Sequence, residues 1–381
     1  MRRTYRYRAY PTRAQDEALH GQVNEACRLY NACLDERRSA WRMHGVSLRY
    51  LAQAQQLKAI RAAGDVGIAN FSACQDVLRR VDKTFAAFFR RVKAGEPKVG
   101  YPRFRSRLRY DSLTYPSWGD GCGLRPSGRL YLQGVGDLKL KWHRALPADA
   151  TIKTVTAKRE AGHWYVCFSV ELPDPKSLSV SDLAVGVDVG LTTFAVFSDG
   201  TQIASPRHFR AAERRLRIAQ RKLARRQKRS RRRQKARQEV ARLHQHVRNQ
   251  RRDFHHKTAH ALVQHHALIA VEDLNVKGLA GSMLAKSVHD AGWSQFIAIL
   301  SDKAAWAGRT LVKVNPAGTT QRCSGCGEHV PKTLSQRGHV CPACGLVLGR
   351  DHNAAVNILR LAQGLGWSLQ TTTVEVAHAV A

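Results

Sequence analysis

The sequence predicts an α+β chain of several domains, and three observations carry that prediction. Proline is absent between Pro11 and Pro97 and again between Pro206 and Pro316, whereas the 97–206 stretch holds eight, counting both ends. Proline interrupts helices, so the two proline-free stretches can hold long helices and the middle reads as strands and turns. The hydrophobic pattern changes in step, from helical spacing to alternation to short continuous apolar runs. Finally, 381 residues with 43% apolar side chains suffice for two or three domains and exclude a fully disordered chain.

Residues 2–10 open the chain as a short strand. Arg2, Thr4, Arg6 and Arg8 fall on one face, Tyr5 and Tyr7 on the other, and Pro11 ends it. Residues 12–95 read as helices. Val77, Val81, Phe85, Phe88 and Val92 recur at helical spacing, an apolar stripe that suits core packing better than a ligand box, and Gly95 closes the region. Residues 96–180 are rich in β signals. Arg103, Arg105, Arg107 and Arg109 alternate with Phe104, Ser106, Leu108 and Tyr110. In an extended segment these arginines share a face, suited to a phosphate backbone or to an edge strand that resists aggregation. The net charge favours the phosphate. Residues 152–159 and 163–171 flank Glu160-Ala161-Gly162 as a hairpin, and the polar 173–182 stretch reads as a linker.

From Leu183 onward the runs 185–189, 266–271 and 311–314 have the composition of buried strands, and 191–197 follows the first, with a turn at Asp199-Gly200. Residues 207–257 carry 21 Lys or Arg and three acids, a pattern for a long helical hairpin. Such a helix can be simply solvated, but this excess of cations favours contact with a polyanion. Arg225, Arg226, Arg229 and Arg232 are its candidate contacts. Residues 351–363 form an amphipathic helix. No internal repeat is present.

The charge narrows the class. Lys and Arg number 63 against 29 Asp and Glu, a net +34. Such a surface repels itself unless a polyanion is present. A solvated basic surface, as in a ribosomal protein, and a chain that works on nucleic acid both fit, and charge alone separates neither RNA from DNA nor binding from catalysis. The longest apolar runs, such as 267–271, fall far short of the ~20 residues of a membrane helix. The Arg- and Tyr-rich start lacks the apolar stretch of a secretory signal. Nine cysteines, five of them scattered, argue against a disulfide framework and for a reducing, cytoplasmic compartment.

Two constellations carry chemistry. Cys323-x2-Cys326 and Cys341-x2-Cys344 are each followed by glycine. Two such knuckles make a closed tetrahedral Zn²⁺ site that folds a segment too short for its own core; redox pairs are the rival. The second constellation is acidic. Asp188 interrupts the apolar run 185–189, a position that needs compensation, and Gly190 beside it leaves room for a phosphate or backbone. Glu272 and Asp273 end a later run, and alternation points Glu272 rather than Asp273 inward. Asp351 opens the last helix. Each has an ordinary explanation alone: an ion pair, a strand end at the surface, a helix-start acid. Together they follow the logic of an RNase H-like nuclease, in which divalent cations offset the repulsion of three acids, and their spacing is diagnostic only with the flanking residues.

The residues around them resemble a known family. Gly186-Val187-Asp188-Val189-Gly190-Leu191, Val271-Glu272-Asp273-Leu274-Asn275-Val276-Lys277-Gly278, Thr320-Gln321-Arg322-Cys323-Ser324-Gly325-Cys326-Gly327 and Arg350-Asp351-His352-Asn353-Ala354-Ala355-Val356-Asn357-Ile358 are similar, in order, to the blocks of TnpB. TnpB is the RNA-guided nuclease of bacterial and archaeal insertion sequences and a relative of type V CRISPR effectors. The opening Tyr7-Arg8-Ala9-Tyr10-Pro11-Thr12 and the stretch from Gly100 to Tyr115 resemble it too. The resemblance implies an RNase H-like (RuvC) α/β nuclease core, 181–316 and 346–381, with an inserted zinc ribbon, 317–345. It implies a β-barrel-like wedge domain, 1–11 and 96–180, and a helical recognition domain, 12–95. It places Asp188, Glu272 and Asp351 as catalytic ligands of Mg²⁺ or Mn²⁺, with Arg350 and Asn353 in support. Cys323, Cys326, Cys341 and Cys344 take the Zn²⁺ places. The implied partners are a guide RNA from the element's own end and double-stranded target DNA beside a short motif, in a monomeric, nucleoid-associated ribonucleoprotein. Gly349 departs from the polar or acidic residue common before the Arg-Asp pair. A nuclease-inactive regulator, a transposase or accessory transposition protein, and a compact CRISPR effector are the alternatives.

Overall fold

The structure, a computed structural model, describes residues 1–174, 178, 181–333 and 335–364. Parts of the expected linker, 175–177 and 179–180, and the 365–381 end of the expected nuclease core lie outside the described residues. The chain divides into two compact units, 1–174 and 175–381.

The first unit joins an antiparallel sheet to three helices. Strand β1 (Arg2–Tyr10) buries Tyr5, Tyr7 and Ala9 and turns its arginines outward, as the alternation requires. Helix α1 (Arg13–His44) starts at a capping box, Thr12 with Gln15, and stops at Gly45 in the left-handed conformation. Helices α2 (Tyr50–Ala62) and α3 (Phe71–Lys93) follow. Six strands come next: β2 (Ser112–Tyr115), β3 (Cys122–Leu124), β4 (Leu130–Leu132), β5 (Gly136–Lys141), β6 (Thr151–Glu160) and β7 (His163–Glu171). The order is β2-β6-β7-β1-β5-β4-β3, so β1, first in sequence, lies mid-sheet. Strand pairing does not close this sheet into a barrel; β2 and β3 stand at its ends. The β6–β7 hairpin turns at Ala161 and Gly162, both with positive φ, as a tight two-residue turn requires.

Two expectations for this unit need correction. The segment carrying Arg103, Arg105, Arg107 and Arg109 is not a strand. Asn31 of α1 grips the backbone of Arg105 in both directions, at 2.8 Å each, and Ser106 accepts from Arg109 and Tyr110 in a turn. The four arginines are exposed but share no strand face. The α3 stripe is only half core: Val77 and Val81 are fully buried, whereas Phe85 and Phe88 are half-buried and Val92 is exposed.

The second unit is built on a mixed sheet. Strands β8 (Ala184–Val189), β9 (Thr193–Phe197) and β10 (Gln202–Ala204) form an antiparallel meander. Helices α4 (His208–Ala224) and α5 (Arg231–His265) make the basic hairpin. Strand β11 (Leu268–Glu272) returns parallel to β8. Short helices α6 (Val276–Leu279) and α7 (Ala285–Ala291) and the longer α8 (Trp293–Ala307) lead to β12 (Thr310–Val314), parallel to β11. Strands β13 (Gly338–Val340) and β14 (Val347–Gly349) then pair with each other before α9 (Arg350–Ala362). The five-stranded order is β10-β9-β8-β11-β12. Phe194, Phe296, Leu300, Ile269 and Val187 fill the core between the sheet and α5 and α8. Helix α9 packs on the sheet through Ile358 and Leu361, against Ala270 and Val314.

Candidate active site and metal centre

Parallel pairing sets the acids side by side. Val187 of β8 lies opposite Val271 of β11, so the next residues along, Asp188 and Glu272, stand at the same end of neighbouring strands. Ligands of α/β sheets gather at such carboxyl ends. Helix α9 brings Asp351 from the other side. Its approach depends on Gly186, where a Cβ would sit 2.0 Å from the carbonyl oxygen of Ala355. Gly190 has a local reason: a Cβ there would lie 2.8 Å from the Thr193 carbonyl oxygen, so the space expected for a phosphate or backbone is filled by the β8–β9 turn.

Burial pushes the Asp188 carboxyl up to about 8, and the charges of Glu272 and Asp351 push the same way, against the smaller opposing effect of Arg350. Burial raises Glu272 as well, opposed by a hydrogen bond from Thr319, whose Oγ1 donates to Glu272 Oε1 at 2.6 Å. Arg350 Nε donates to Asp351 Oδ1 at 3.1 Å. Asp273 is exposed, lies 3.8 Å from Lys313, and lines the same cleft as Glu272. A cleft of about 300 Å³ opens beside Glu272, walled by Val189, Leu274 and Trp293. Asp188, Glu272 and Asp351 are hard-oxygen donors, the class that suits divalent cations such as Mg²⁺ or Mn²⁺, and the charges of the other two raise the proton affinity of Asp188.

The cysteines converge. Their four Sγ atoms all lie within 4.8 Å of one another. The two knuckles are built alike: Gly327 N–H donates to the Cys323 carbonyl and Gly345 N–H to that of Cys341, both at 2.9 Å, and both glycines have positive φ. Gly325 N–H points at Cys323 Sγ, 3.4 Å away. Four soft thiols with an amide donor to sulfur fit Zn²⁺.

Buried amides join the first knuckle to α9. Asn353 accepts from Ser324 N–H at 2.9 Å and donates to the Arg322 carbonyl at 2.8 Å. Asn357 donates to the carbonyls of Thr319 and Arg322, each at 2.8 Å. Asn353 therefore holds the knuckle rather than the acids. Thr319, Asn357 and Gly186 escaped the sequence reading; the only signal was an asparagine pair at i, i+4 inside an apolar helix face.

Arg225, Arg226, Arg229 and Arg232 lie at the exposed tip of the α4–α5 hairpin. The tip is held from within: Arg233 donates to the carbonyls of Leu223 and Arg226. Asp290 of α7, also unforeseen, accepts from the backbone of Phe209 and Arg210 and caps α4.

Residues 167–283 match the OrfB_IS605 family model, described as "Probable transposase", and 293–358 match "Cas12f1-like, TNB domain". A third model, "Helix-turn-helix domain", matches 1–45, which here fold as β1 and the single helix α1. A protein of Acanthamoeba polyphaga mimivirus, "TnpB-like protein L79", is 30% identical over 32% of this chain and 25% of its own length. The protein "Putative RNA-guided DNA endonuclease" of Streptomyces pristinaespiralis is 33% identical over 97% of this chain and 90% of its own length. The chain belongs to the TnpB family. A second relative, "Putative RNA-guided DNA endonuclease InsQ" of Escherichia coli K12, is 31% identical over 75% of this chain and 73% of its own. Among solved structures, the mini-RNA-guided endonuclease CRISPR-Cas_phi3 shares the fold at a TM-score of 0.53 and 9% identity, covering 95% of this chain and 92% of that one. No helix among the described residues of this TnpB-family chain is long and apolar enough to cross a membrane.

Proposed function

We propose that this chain is an RNA-guided DNA endonuclease that cuts with Asp188, Glu272 and Asp351. One observation carries the reading: neighbouring parallel strands place Asp188 beside Glu272, and Gly186 admits the helix that brings Asp351. The sheet order, an antiparallel meander continued by two parallel strands, supports an RNase H-like (RuvC) core. Mg²⁺ or Mn²⁺ held by the three acids would supply an activated water and stabilise the leaving oxygen of a phosphodiester. The chain's own part is to hold the ligands: Thr319 fixes one oxygen of Glu272, Arg350 holds Asp351, and the β8–β11 ladder sets Asp188. Cys323, Cys326, Cys341 and Cys344 would hold Zn²⁺ as a structural ribbon on α9.

The guide RNA comes from the element's own end and reads the target by pairing, and the protein holds backbone beside a short DNA motif. The strand sheet acts as the wedge and α1–α3 as the recognition region, in a monomeric cytoplasmic ribonucleoprotein. The exposed arginines at 103–109 and at the hairpin tip are its phosphate contacts.

The test is to express the protein with its native flanking DNA, sequence the RNA that copurifies, and offer a matching plasmid. One discrete RNA from the downstream flank, with cleavage that Asp188→Ala abolishes while RNA is retained, is the expected result. Cleavage that survives Asp188→Ala overturns the acid assignment. Absence of an enriched RNA shifts the reading to a DNA-binding regulator or a transposase.

A further inference from the structure

The rear of the α3 stripe lines a cleft of about 760 Å³ in the first unit. Sites for small ligands run from ~300 to ~1,000 Å³. Trp41 of α1, Phe85, Phe88 and Phe89 of α3, and Tyr101 supply its rings. Trp41 is 62% exposed and Phe89 58%. Phe88 meets Tyr101 edge-on at 5.2 Å, and Phe85 lies near-parallel to Phe89 at 6.3 Å. Exposed aromatic surface of this extent marks a binding face.

Arg37 supplies a second, independent observation. It lines the same cleft and is 5% exposed. Its Nε donates to Gln53 and its Nη1 to Asp82, at 2.9 and 3.0 Å, but Nη2 is buried with no partner among the described residues. An unpaired buried donor is costly, and a small shift of the side chain towards a ligand acceptor in the cleft would relieve it. Asp82, the one acid of the lining, is already neutralised by Arg37. The rim is cationic: Arg49 lines the cleft, and the Arg38 guanidinium lies 5.7 Å from the Tyr101 ring centre and 5.0 Å from that of Phe104.

An apolar ligand would use neither Arg37 Nη2 nor the rim, and a second copy of this face would set arginines against arginines. A planar ring that carries an acceptor and is flanked by phosphates uses all three features. We propose that this cleft takes one unpaired base of the guide RNA. The base stacks on the Trp41 and Phe89 side, a ring carbonyl or ring nitrogen accepts from Arg37 Nη2, and Arg38 and Arg49 meet the adjoining phosphates. The proposal rests on the function above only for the source of the strand.

The probe is a single-stranded oligouridylate carrying 5-iodouridine, offered to the full chain, with photocrosslinks mapped by mass spectrometry and affinity read by fluorescence anisotropy. Crosslinks at Trp41, Phe88, Phe89 or Tyr101 are expected. Trp41→Ala with Phe89→Ala should weaken single-strand binding about tenfold or more, since stacking dominates such sites. The slope of affinity against salt should stay unchanged, because no charge is removed. Phe89→Trp should keep the affinity, and binding of a duplex should not change. Both replaced rings are exposed, so an unchanged melting temperature shows the fold is intact. Unchanged single-strand affinity, an equal loss on duplex, or crosslinks confined elsewhere overturn the proposal. So does a dimer that Phe89→Ala dissociates without altering RNA affinity, which would make the face a self-association surface. No arm reads DNA cleavage, so failure here leaves the Asp188→Ala test standing.

Discussion

Thr319 is a small residue with a large expected effect. Its hydroxyl is fully buried and donates to Glu272, so removing it frees the carboxylate to rotate away from its neighbours. Under the proposed metal role of Glu272, loss of the partner that orients it should cost about 10–100-fold in metal affinity or activity. Thr319→Val should raise the Mg²⁺ concentration for half-maximal cleavage by at least about tenfold, and Thr319→Ser should restore it; a metal titration of cleavage rate distinguishes them. Gly186→Ala acts by sterics alone. The added carbon would meet backbone, which cannot swing aside, so unfolding of the second unit should become easier by about 3 kcal/mol or more, read in urea. His255 gives the pH response. It is fully buried among Phe194, Phe254 and Phe296, and burial lowers its pKa from 6.5 to about 4. The folded chain therefore keeps it neutral while the unfolded chain protonates it first. Its stabilisation is complete above about pH 6.5 and is lost as pH falls toward 4, by up to about 3 kcal/mol. Urea melts at pH 7 and pH 5 should show that loss, and His255→Gln should flatten it.

Among the elements, α9 is the one on which the acid site and the cysteine knuckle both depend. It starts with Asp351, seats on Gly186, and holds Ser324 through Asn353 and, by a guanidinium contact, through Arg360. Cys323→Ser should therefore do more than release zinc. With the knuckle loosened, amide exchange should rise along α9 and the melting temperature of the second unit should fall; unchanged exchange there would separate the knuckle from the helix. The elements that could be read from sequence were those set by local signals. The β1 alternation, the hairpin turn read at Glu160-Ala161-Gly162 and the CxxC spacings are each contained within a few residues, and the long helices showed in the absence of proline. Asp188 was visible because a charge interrupts an apolar run. The arginines at 103–109 misled because their alternation is real but the conformation is set elsewhere, by Asn31, 74 residues away. The rear of the α3 stripe misled for the opposite reason: helical spacing reveals a face but not whether anything covers it. Thr319 could not be found at all, and Asn357 only as the second of an asparagine pair, since both act only once the cysteine segment has folded back on α9.

For the molecule as a whole, the +34 charge must be matched by a partner, and its distribution says where. Residues 207–257 alone hold 21 of the 63 cations, and several are spent internally: Lys222 pairs with Glu239, Lys257 with Asp253, Arg210 meets Ser287, Arg251 meets the His289 carbonyl, and Arg233 caps the hairpin turn. Among the described residues the tip arginines make no such side-chain contacts and are exposed, where holding them together costs repulsion that a phosphate backbone removes. Each phosphate neutralised releases counterions and steepens the fall of affinity with salt by about 0.7 for single strands and 0.9 for duplex DNA. Replacing Arg225, Arg226, Arg229 and Arg232 by alanine should therefore flatten that slope by about 3 if all four touch phosphates, and should weaken RNA binding without regard to sequence. The aromatic cleft of the first unit should behave in the opposite way, losing affinity at constant slope. A titration of both variants over the same salt range separates charge from stacking. A tip variant with unchanged slope would mean that these arginines serve solubility alone, leaving the nucleic acid to be held by other cations.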